Sequence, residues 1–543
     1  MNHLYFGDCL DILLELDREH NGKGFIDLIY IDPPFNSKRN YNVLFESIDL
    51  KDATAQKQAF ADTWSNYEYL DTLNQISAID KDLHHFLQAL NDIRISDSAV
   101  AYLTTMSIRI YYMHKLLKDT GSFYLHCDPT MSHYLKLVCD LIFGEKNFRN
   151  EITWKRTGAH SDAKQGRIGF GNVVDIILFY TMSEKVTFNP QYLEHDERYV
   201  ESTYKYKDAN GRRYRLDNLT GPGGAAKGNP FYEFLGVKRY WRYSKEKMQK
   251  LFEEGRIIQT KAGNVPAYKR YLDESKGVEA NNIWIDIPPL QFSDAEKLGY
   301  PTQKPVALLE RIIKASTNEG DLVADFFCGC GTTIDAAEGL NRKWIGADIS
   351  HLAIALIDKR LKKRYPGSQH KYTIKGFPKD IESAHALAEA KGGRMDFQEW
   401  VIEYLLDDGV LNQKKTSDGG WDGYITFDNE ESKKEFVLIE VKSGNVNVKN
   451  LREFEQVVTK EKAALGIFVC FEEQVTTPMR KLEKESGSYN PKLFGNRYPK
   501  IQILTIEDLL LNHKQPLMPK FEKTTFKSAQ KNKEGKGTMG MFD

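Results

Sequence analysis

Cysteine is scarce in this 543-residue chain: there are six, with no CxxC pair and no Cys/His cluster at zinc spacing. Cys328 and Cys330 stand too close together for an ordinary disulfide or chelate. A disulfide scaffold and a structural zinc are therefore excluded, and a reducing, cytoplasmic setting is expected. No run approaches the roughly 20 apolar residues of a membrane span, and the N-terminus lacks a charged-then-apolar leader, so no membrane partner is expected. No GxxxxGK(S/T) loop occurs, and the glycine turn at 325–333 is not GxGxxG, which leaves no ATP motor and no dinucleotide site to expect. Net charge is also nearly absent, at −1.

The charge is unevenly spread. Residues 198–270 hold 17 Lys/Arg against 7 Asp/Glu, together with twelve Phe, Tyr and Trp. Cations interleaved with aromatics suit a nucleic-acid face, where charge meets phosphate and rings stack on bases. The plain alternative is a solvated surface over ordinary core aromatics. The length calls for three or four modules.

An α/β rhythm fills residues 1–45, ending on "IDLIYIDPPFNS" (26–37), where an apolar strand runs into an acid and two prolines. Proline cannot donate to a ladder, so Asp32 is held rigidly at the strand's carboxyl end, where open α/β sheets bind ligands. "AYLTTMSIRIYYMHKLL" has helical spacing, "GSFYLHCD" (121–128) reads as a buried strand, and "YLKLVCDLIFG" as a helix stopped by Gly144. Residues 157–300 lose this rhythm and contain the loop-like "GPGGAAKGNP". It returns with helix "PVALLERIIKAS", strand and turn "DLVADFFCGCGTT", a helix, and strand "RKWIGADIS".

In "DFFCGCGTT" (325–333), Gly329 and Gly331 let the chain turn sharply and expose a helix start to a ligand. The next strand ends at Asp348, an acid well placed for ribose hydroxyls. The pair fits an adenosine-containing ligand without a pyrophosphate.

"DPPF" followed far downstream by "DFFCGCGTT" resembles the amino-methyltransferases of DNA that use S-adenosylmethionine. The motif order is similar to their permuted β group. "YPTQKPVALLERII" (300–313), "GDCLDIL" (7–13) and "DPPFNSKRNYNVLF" add to the likeness, which covers roughly residues 1–375. Cys330 stands where serine is more usual.

The resemblance implies a Rossmann-like α/β fold with a seven-stranded mixed sheet and a target-recognition insertion at 157–300. It implies that Asp325, Phe327, Gly329, Gly331 and Thr332 line the cofactor, and that Asp348 holds its ribose. Asp8 and Cys9 would meet the adenine ring, with Thr302 and Lys304 near the methionine end. A homodimer on double-stranded DNA is the association it allows.

The DPPF corner then has a chemical use. An exocyclic amino group is a poor nucleophile because its lone pair is delocalised into the ring. Acceptors facing its hydrogens pull the nitrogen toward tetrahedral geometry. Asp32 supplies a carboxylate, Pro33 a carbonyl whose direction Pro34 helps fix, and Phe35 a stacking face. Transfer is then a matter of positioning and preorganised dipoles, on a base flipped out of the duplex. By resemblance, a leading aspartate favours adenine N6, and serine cytosine N4.

A second chemistry lies in "GGWDGYITFDNEESKKEFVLIEVKSG" (419–444). Glu440 and Lys442 fall on one face at the end of an apolar strand, and Asp422 can join them from a neighbouring one. Asp422 and Glu440 can hold Mg²⁺ while Lys442 positions or activates water, the logic of phosphodiester cleavage. ExK is a cheap pattern in a charged chain, and "ESK" recurs at 274–276 and 431–433, but only Glu440 follows an apolar strand. With "FQEWVIEYLL", "AALGIFVCF" (463–471) and "IQILTIEDLL", this segment resembles the Mrr-like PD-(D/E)xK restriction endonucleases, with Glu399 or Glu403 a weaker addition.

The expected organisation is a catalytic half (1–156), the insertion (157–300), a cofactor half (301–376), a linker (377–395), a nuclease-like domain (396–512) and a disordered tail (513–543). Expected function is adenine N6 methylation of DNA, fused to a Mg²⁺-dependent endonuclease. The rivals are a C-terminal domain that only binds DNA, cytosine-N4 methylation, and a non-catalytic DNA-binding protein.

Overall fold

A computed structural model of the chain describes residues 2–34, 68–93, 97–158, 170–291, 294, 296–298, 300, 302–367, 371–390, 393–412, 420–429, 433–491 and 496–519. Phe35, the residues that follow it in "DPPFNSKRNYNVLF", and the expected tail beyond residue 519 lie outside them.

The chain divides into two compact units, residues 188–282 and all the rest. In the larger unit, strands β1 (Asn2–Phe6), β2 (Ile26–Ile31), β3 (Leu117–Cys127), β4 (Phe148–Lys155), β5 (Val174–Thr181), β6 (Ile283–Trp284), β7 (Leu322–Asp325), β8 (Lys343–Asp348) and β9 (Tyr372–Lys375) form one mixed sheet. Its order is β6-β4-β5-β3-β2-β7-β8-β1-β9. Only the β4–β5 and β3–β5 pairings are antiparallel.

A strand count and a boundary differ from the expectation. The sheet has nine strands rather than seven. β5 lies within the range expected for the insertion, yet it is buried between β3 and β4. Its run "VDIILFYT" is buried on both faces, as a central strand must be. The separate unit is correspondingly narrower than 157–300.

The helices follow their sequence signals. In α1 (Cys9–Glu19), Asp8 caps the first turn by accepting the Leu10 amide at 2.7 Å. Then come α2 (Asp97–Leu116), α3 (Ser132–Phe143), which Gly144 ends at φ 84°, α4 (Val306–Ser316), α5 (Thr332–Gly339) and α6 (His351–Arg364). No helix among the described residues is long and apolar enough to cross a membrane. β2 pairs directly with β7, Leu28 with Val323 and Ile29 with Ala324. Segments nearly 300 residues apart thus end at the same sheet edge.

The C-terminal part belongs to the same unit. After α7 (Ile381–Glu389) and α8 (Gly393–Glu399), a π-helical stretch Trp400–Leu405 packs its apolar side chains into a core continuous with α6. A second sheet follows: β10 (Val410–Leu411), β11 (Gly423–Asp428), β12 (Lys434–Val441), β13 (Leu465–Cys470) and β14 (Ile501–Thr505), in sequential order.

The unit of residues 188–282 has its own core around Trp241, Leu219, Phe234, Met248 and Ile257. Many of its cations are committed within it. Arg212 pairs with Asp273 and Glu274, Arg256 with Glu274, and Arg215 and Arg270 with Asp217. The basic, aromatic window is therefore partly ordinary structure, although Phe231, Tyr199, Tyr206 and Phe252 remain exposed.

Candidate functional site

Asp32, Asp325 and Asp348 follow or end three adjacent strands, β2, β7 and β8, at one sheet edge. A cleft with about 400 Å³ of empty space opens there. It is lined by Asp32, Thr302, Lys304, Asp325, Phe327, Gly329 and Thr332 among others, and so gathers most of the cofactor residues named from the sequence. A neighbouring cleft is lined by Asp8, Cys9, Phe327 and Asp348.

The glycine loop is built around Asp348. One carboxylate oxygen accepts the Gly329 amide at 2.8 Å and the other the Ser350 amide at 2.9 Å. Burial pushes this carboxyl up to about 6. Asp325 is buried too, and its carboxyl is pushed up to about 7 by burial, against hydrogen bonds from Thr333 Oγ1 at 2.5 Å and the Phe327 amide at 3.0 Å. Gly329 and Gly331 adopt φ of 49° and 76°, which an L side chain rarely tolerates. A buried acid at a strand end, beside a glycine turn that opens α5, suits a ribose diol and an adenosine. The residues present fit S-adenosylmethionine.

The sequence reading missed two features. Asp8 is engaged by Arg109, whose Nη2 lies 2.8 and 3.0 Å from its two oxygens while Nη1 donates to the Thr105 carbonyl. The available signal was an arginine inside the apolar helical run "MSIRIYY". The second is the partner of Asp32. Lys304 forms a close ion pair with it, both side chains largely buried. Thr302, at φ 64°, helps turn the chain so that Lys304 reaches back to β2. Pro33 is buried at the strand end.

In the second sheet, Asp422 directly precedes β11, and one of its carboxylate oxygens accepts the Val441 amide at 2.7 Å. Glu440 pairs with Lys442 at 2.5 Å. Its other oxygen, Oε2, is buried with no hydrogen-bond partner among the described residues. Burial raises the carboxyls of both Asp422 and Glu440. The acid pair and lysine do converge, and an orphaned carboxylate oxygen fits a divalent cation. They supply two acids only: no group of three or more His, Cys, Asp or Glu able to hold a metal occurs among the described residues. Glu403 and Glu399 turn elsewhere. Glu403 Oε2 accepts the Leu352 amide at 3.2 Å, and Glu399 lies 3.8 Å from His351, both at the start of α6.

Residues 26–359 match the N6/N4 DNA methylase family, a span that takes in Asp32, the glycine loop and Asp348. The chain belongs to that family. Residues 396–510 match a family described as NACHT-associated inactive restriction endonuclease 1, so the C-terminal domain is restriction-endonuclease-like. Type II methyltransferase M.EcaI of Enterobacter cloacae is 34% identical over 48% of this chain and 57% of its own length. The type III restriction–modification enzyme StyLTI Mod subunit of Salmonella typhimurium is 28% identical over 62% and 50%. The chain thus spans about half the length of the curated relatives it matches. Among solved structures, the cytosine-N4-specific PvuII DNA methyltransferase aligns over 68% of this chain and 90% of its own, at 15% identity and TM-score 0.31.

Proposed function

We propose that this family member transfers a methyl group from S-adenosylmethionine to adenine N6 of DNA, on a base flipped from the duplex. The observation that supports it is Asp32, held after β2 in a cleft it shares with the glycine loop. When bound, S-adenosylmethionine supplies a methyl group made electrophilic by its sulfonium. Asp348 orients the ribose, and the Arg109-braced Asp8 borders the adenine end. Lys304 surrenders Asp32 to the target amino group, whose hydrogens the Asp32 carboxylate and the Pro33 carbonyl accept, and the proton that the methylated nitrogen sheds leaves by way of Asp32. Fixed acceptors stabilise positive charge on the nitrogen without having to reorganise.

Nucleoside mass spectrometry of unmethylated DNA treated with protein and cofactor, beside Asp32→Ala, tests this. N6-methyladenine from wild type alone is the expected result. N4-methylcytosine would retain the mechanism and overturn the base assignment. No modified base would favour a DNA-binding protein without catalysis.

For the C-terminal domain, the convergence of Asp422, Glu440 and Lys442 supports Mg²⁺-dependent cleavage of DNA, with the two acids as metal ligands. Nicking that requires Mg²⁺ and disappears in Glu440→Ala and Lys442→Ala is expected. Its absence on unmethylated DNA would leave a domain without cleavage, in keeping with the word inactive in the matching family's description, and DNA binding as its remaining use.

A further inference from the structure

Beneath the cleft runs a polar chain that methyl transfer as described does not use. Tyr30 and Asp32 point to the same face, two residues apart at the end of β2. In register, Tyr30 lies opposite Tyr124 on β3, so His126, two residues on, shares that face beyond it. His126 in turn lies opposite Ile177 on β5, and Asp175 is two residues away on the same face. Three strands therefore deliver a tyrosine, a histidine and an aspartate to one sheet edge.

The contacts follow. The Tyr30 hydroxyl lies 2.9 Å from His126 Nδ1, and His126 Nε2 lies 3.1 Å from Asp175 Oδ2. His126 is 0% exposed, Asp175 1% and Tyr30 2%. Beyond Asp175 stands the Arg156 guanidinium at 3.2 Å.

Direction can be assigned from chemistry. The Arg156 guanidinium, 3.2 Å from Asp175 Oδ1, favours the ionised carboxylate there. A carboxylate only accepts, so Nε2 carries a proton. With Arg156 already offsetting Asp175, a second cation in a fully buried imidazole would be costly. Nδ1 is then a bare lone pair, and the tyrosine must donate to it. Tyr30 also lines the cleft with Asp32 and Asp325, and burial, followed by the charges of those acids, raises its phenol well above the ordinary value. Its proton stays on oxygen and points away from them.

We propose that Asp175 and His126 are positioning residues that fix the Tyr30 hydroxyl as an acceptor. Its oxygen lone pairs are thereby offered to the methyl-transfer cleft as a third oxygen beside Asp32 and the Pro33 carbonyl. This rests on the methyltransferase reading. Three oxygens would then face the nitrogen as it gains positive charge, and no bond to Tyr30 forms or breaks. Asp175→Asn reverses the polarity. An amide can donate to Nε2, which forces the imidazole proton onto Nδ1 and turns the tyrosine proton toward the cleft.

Two measurements test this. The first uses the cofactor-free chain labelled with ¹⁵N-histidine, the His126 signal being assigned by its loss in His126→Gln. The neutral Nε2–H tautomer is expected in wild type and the Nδ1–H tautomer in Asp175→Asn; the same tautomer in both would overturn the relay. The second is single-turnover methylation by Tyr30→Phe, Asp175→Asn and the double variant, with cofactor affinity measured in parallel. Each single change should slow transfer roughly 10- to 100-fold at near-normal affinity, and the double variant should be no slower than the slower single one. A Tyr30→Phe rate within about twofold of wild type would refute the acceptor role. So would an Asp175→Asn effect of full size in the Tyr30→Phe background, because Asp175 would then act without Tyr30. A wild-type chain that transfers no methyl group would instead sink the methyltransferase reading, while the tautomer measurement still decides the relay.

Discussion

Gly331→Ala and Gly329→Ala, two substitutions two residues apart, should have unequal costs. Both glycines have positive φ, so an alanine at either pays the left-handed penalty of about 1–2 kcal/mol. At Gly329 a Cβ would meet the Tyr300 ring edge at 3.3 Å, a contact that a small ring shift relieves. At Gly331 it would lie 2.5 Å from Ile357 Cγ1. Ile357 is buried in the middle of α6 and cannot withdraw. Overpacking of this kind adds about 1–3 kcal/mol, for a total of about 2–5 kcal/mol. At roughly 1 °C per kcal/mol for a unit of this size, Gly331→Ala should unfold roughly 2–5 °C below wild type and Gly329→Ala roughly 1–2 °C below. Thermal unfolding by circular dichroism would read the difference, with cofactor binding measured by calorimetry on the same samples. A Gly331→Ala chain as stable as Gly329→Ala would refute the view that packing of α6 against the loop sets this turn.

Three further predictions concern charge. Because burial sets the Asp348 carboxyl at about 6, S-adenosylmethionine affinity should weaken as pH falls through that value and the acceptor is lost; Asp348→Asn should remove the step in a calorimetric pH series. His351, packed against Phe6 and stacked on Phe377, is pushed by burial down to about 3. It stays neutral in the fold while the unfolded chain takes up a proton below its ordinary value of 6.5, so its stability contribution is complete above pH 6.5 and declines toward pH 3. The decline approaches about 1.4 kcal/mol per pH unit, and denaturation of His351→Gln should lack that share of the wild-type slope. Finally, Arg109→Met should weaken cofactor binding about tenfold, the loss of one charged hydrogen-bond pair, while Asp8 still caps α1; unchanged affinity would show that the Asp8 side chain plays no part at the adenine end.

Local chemistry was enough to read much of this protein. Proline ends β2 whatever surrounds it, glycine makes the 329–331 turn, and an acid at a strand end has few other uses, so Asp32, Asp325 and Asp348 were legible together with their strands. Period two alone put Glu440 and Lys442 on one face. What depends on distant partners was not legible. β5 looked like part of the insertion because its neighbours in sequence are irregular; only pairing with β3 and β4 makes it central. The basic window overstated the cations open to phosphate, since Asp217, Asp273 and Glu274 neutralise several of them within the unit. Glu399 and Glu403 share a sequence neighbourhood with the nuclease-like strands but turn toward the first residues of α6, a direction that packing decides. The Lys304–Asp32 pair, the Arg109 brace and the Tyr30–His126–Asp175 chain each join residues about 50 to 270 positions apart. Sequence determines which side chains can do chemistry and which backbone must turn; only the sheet order, by setting strand ends side by side, decides which of those side chains meet.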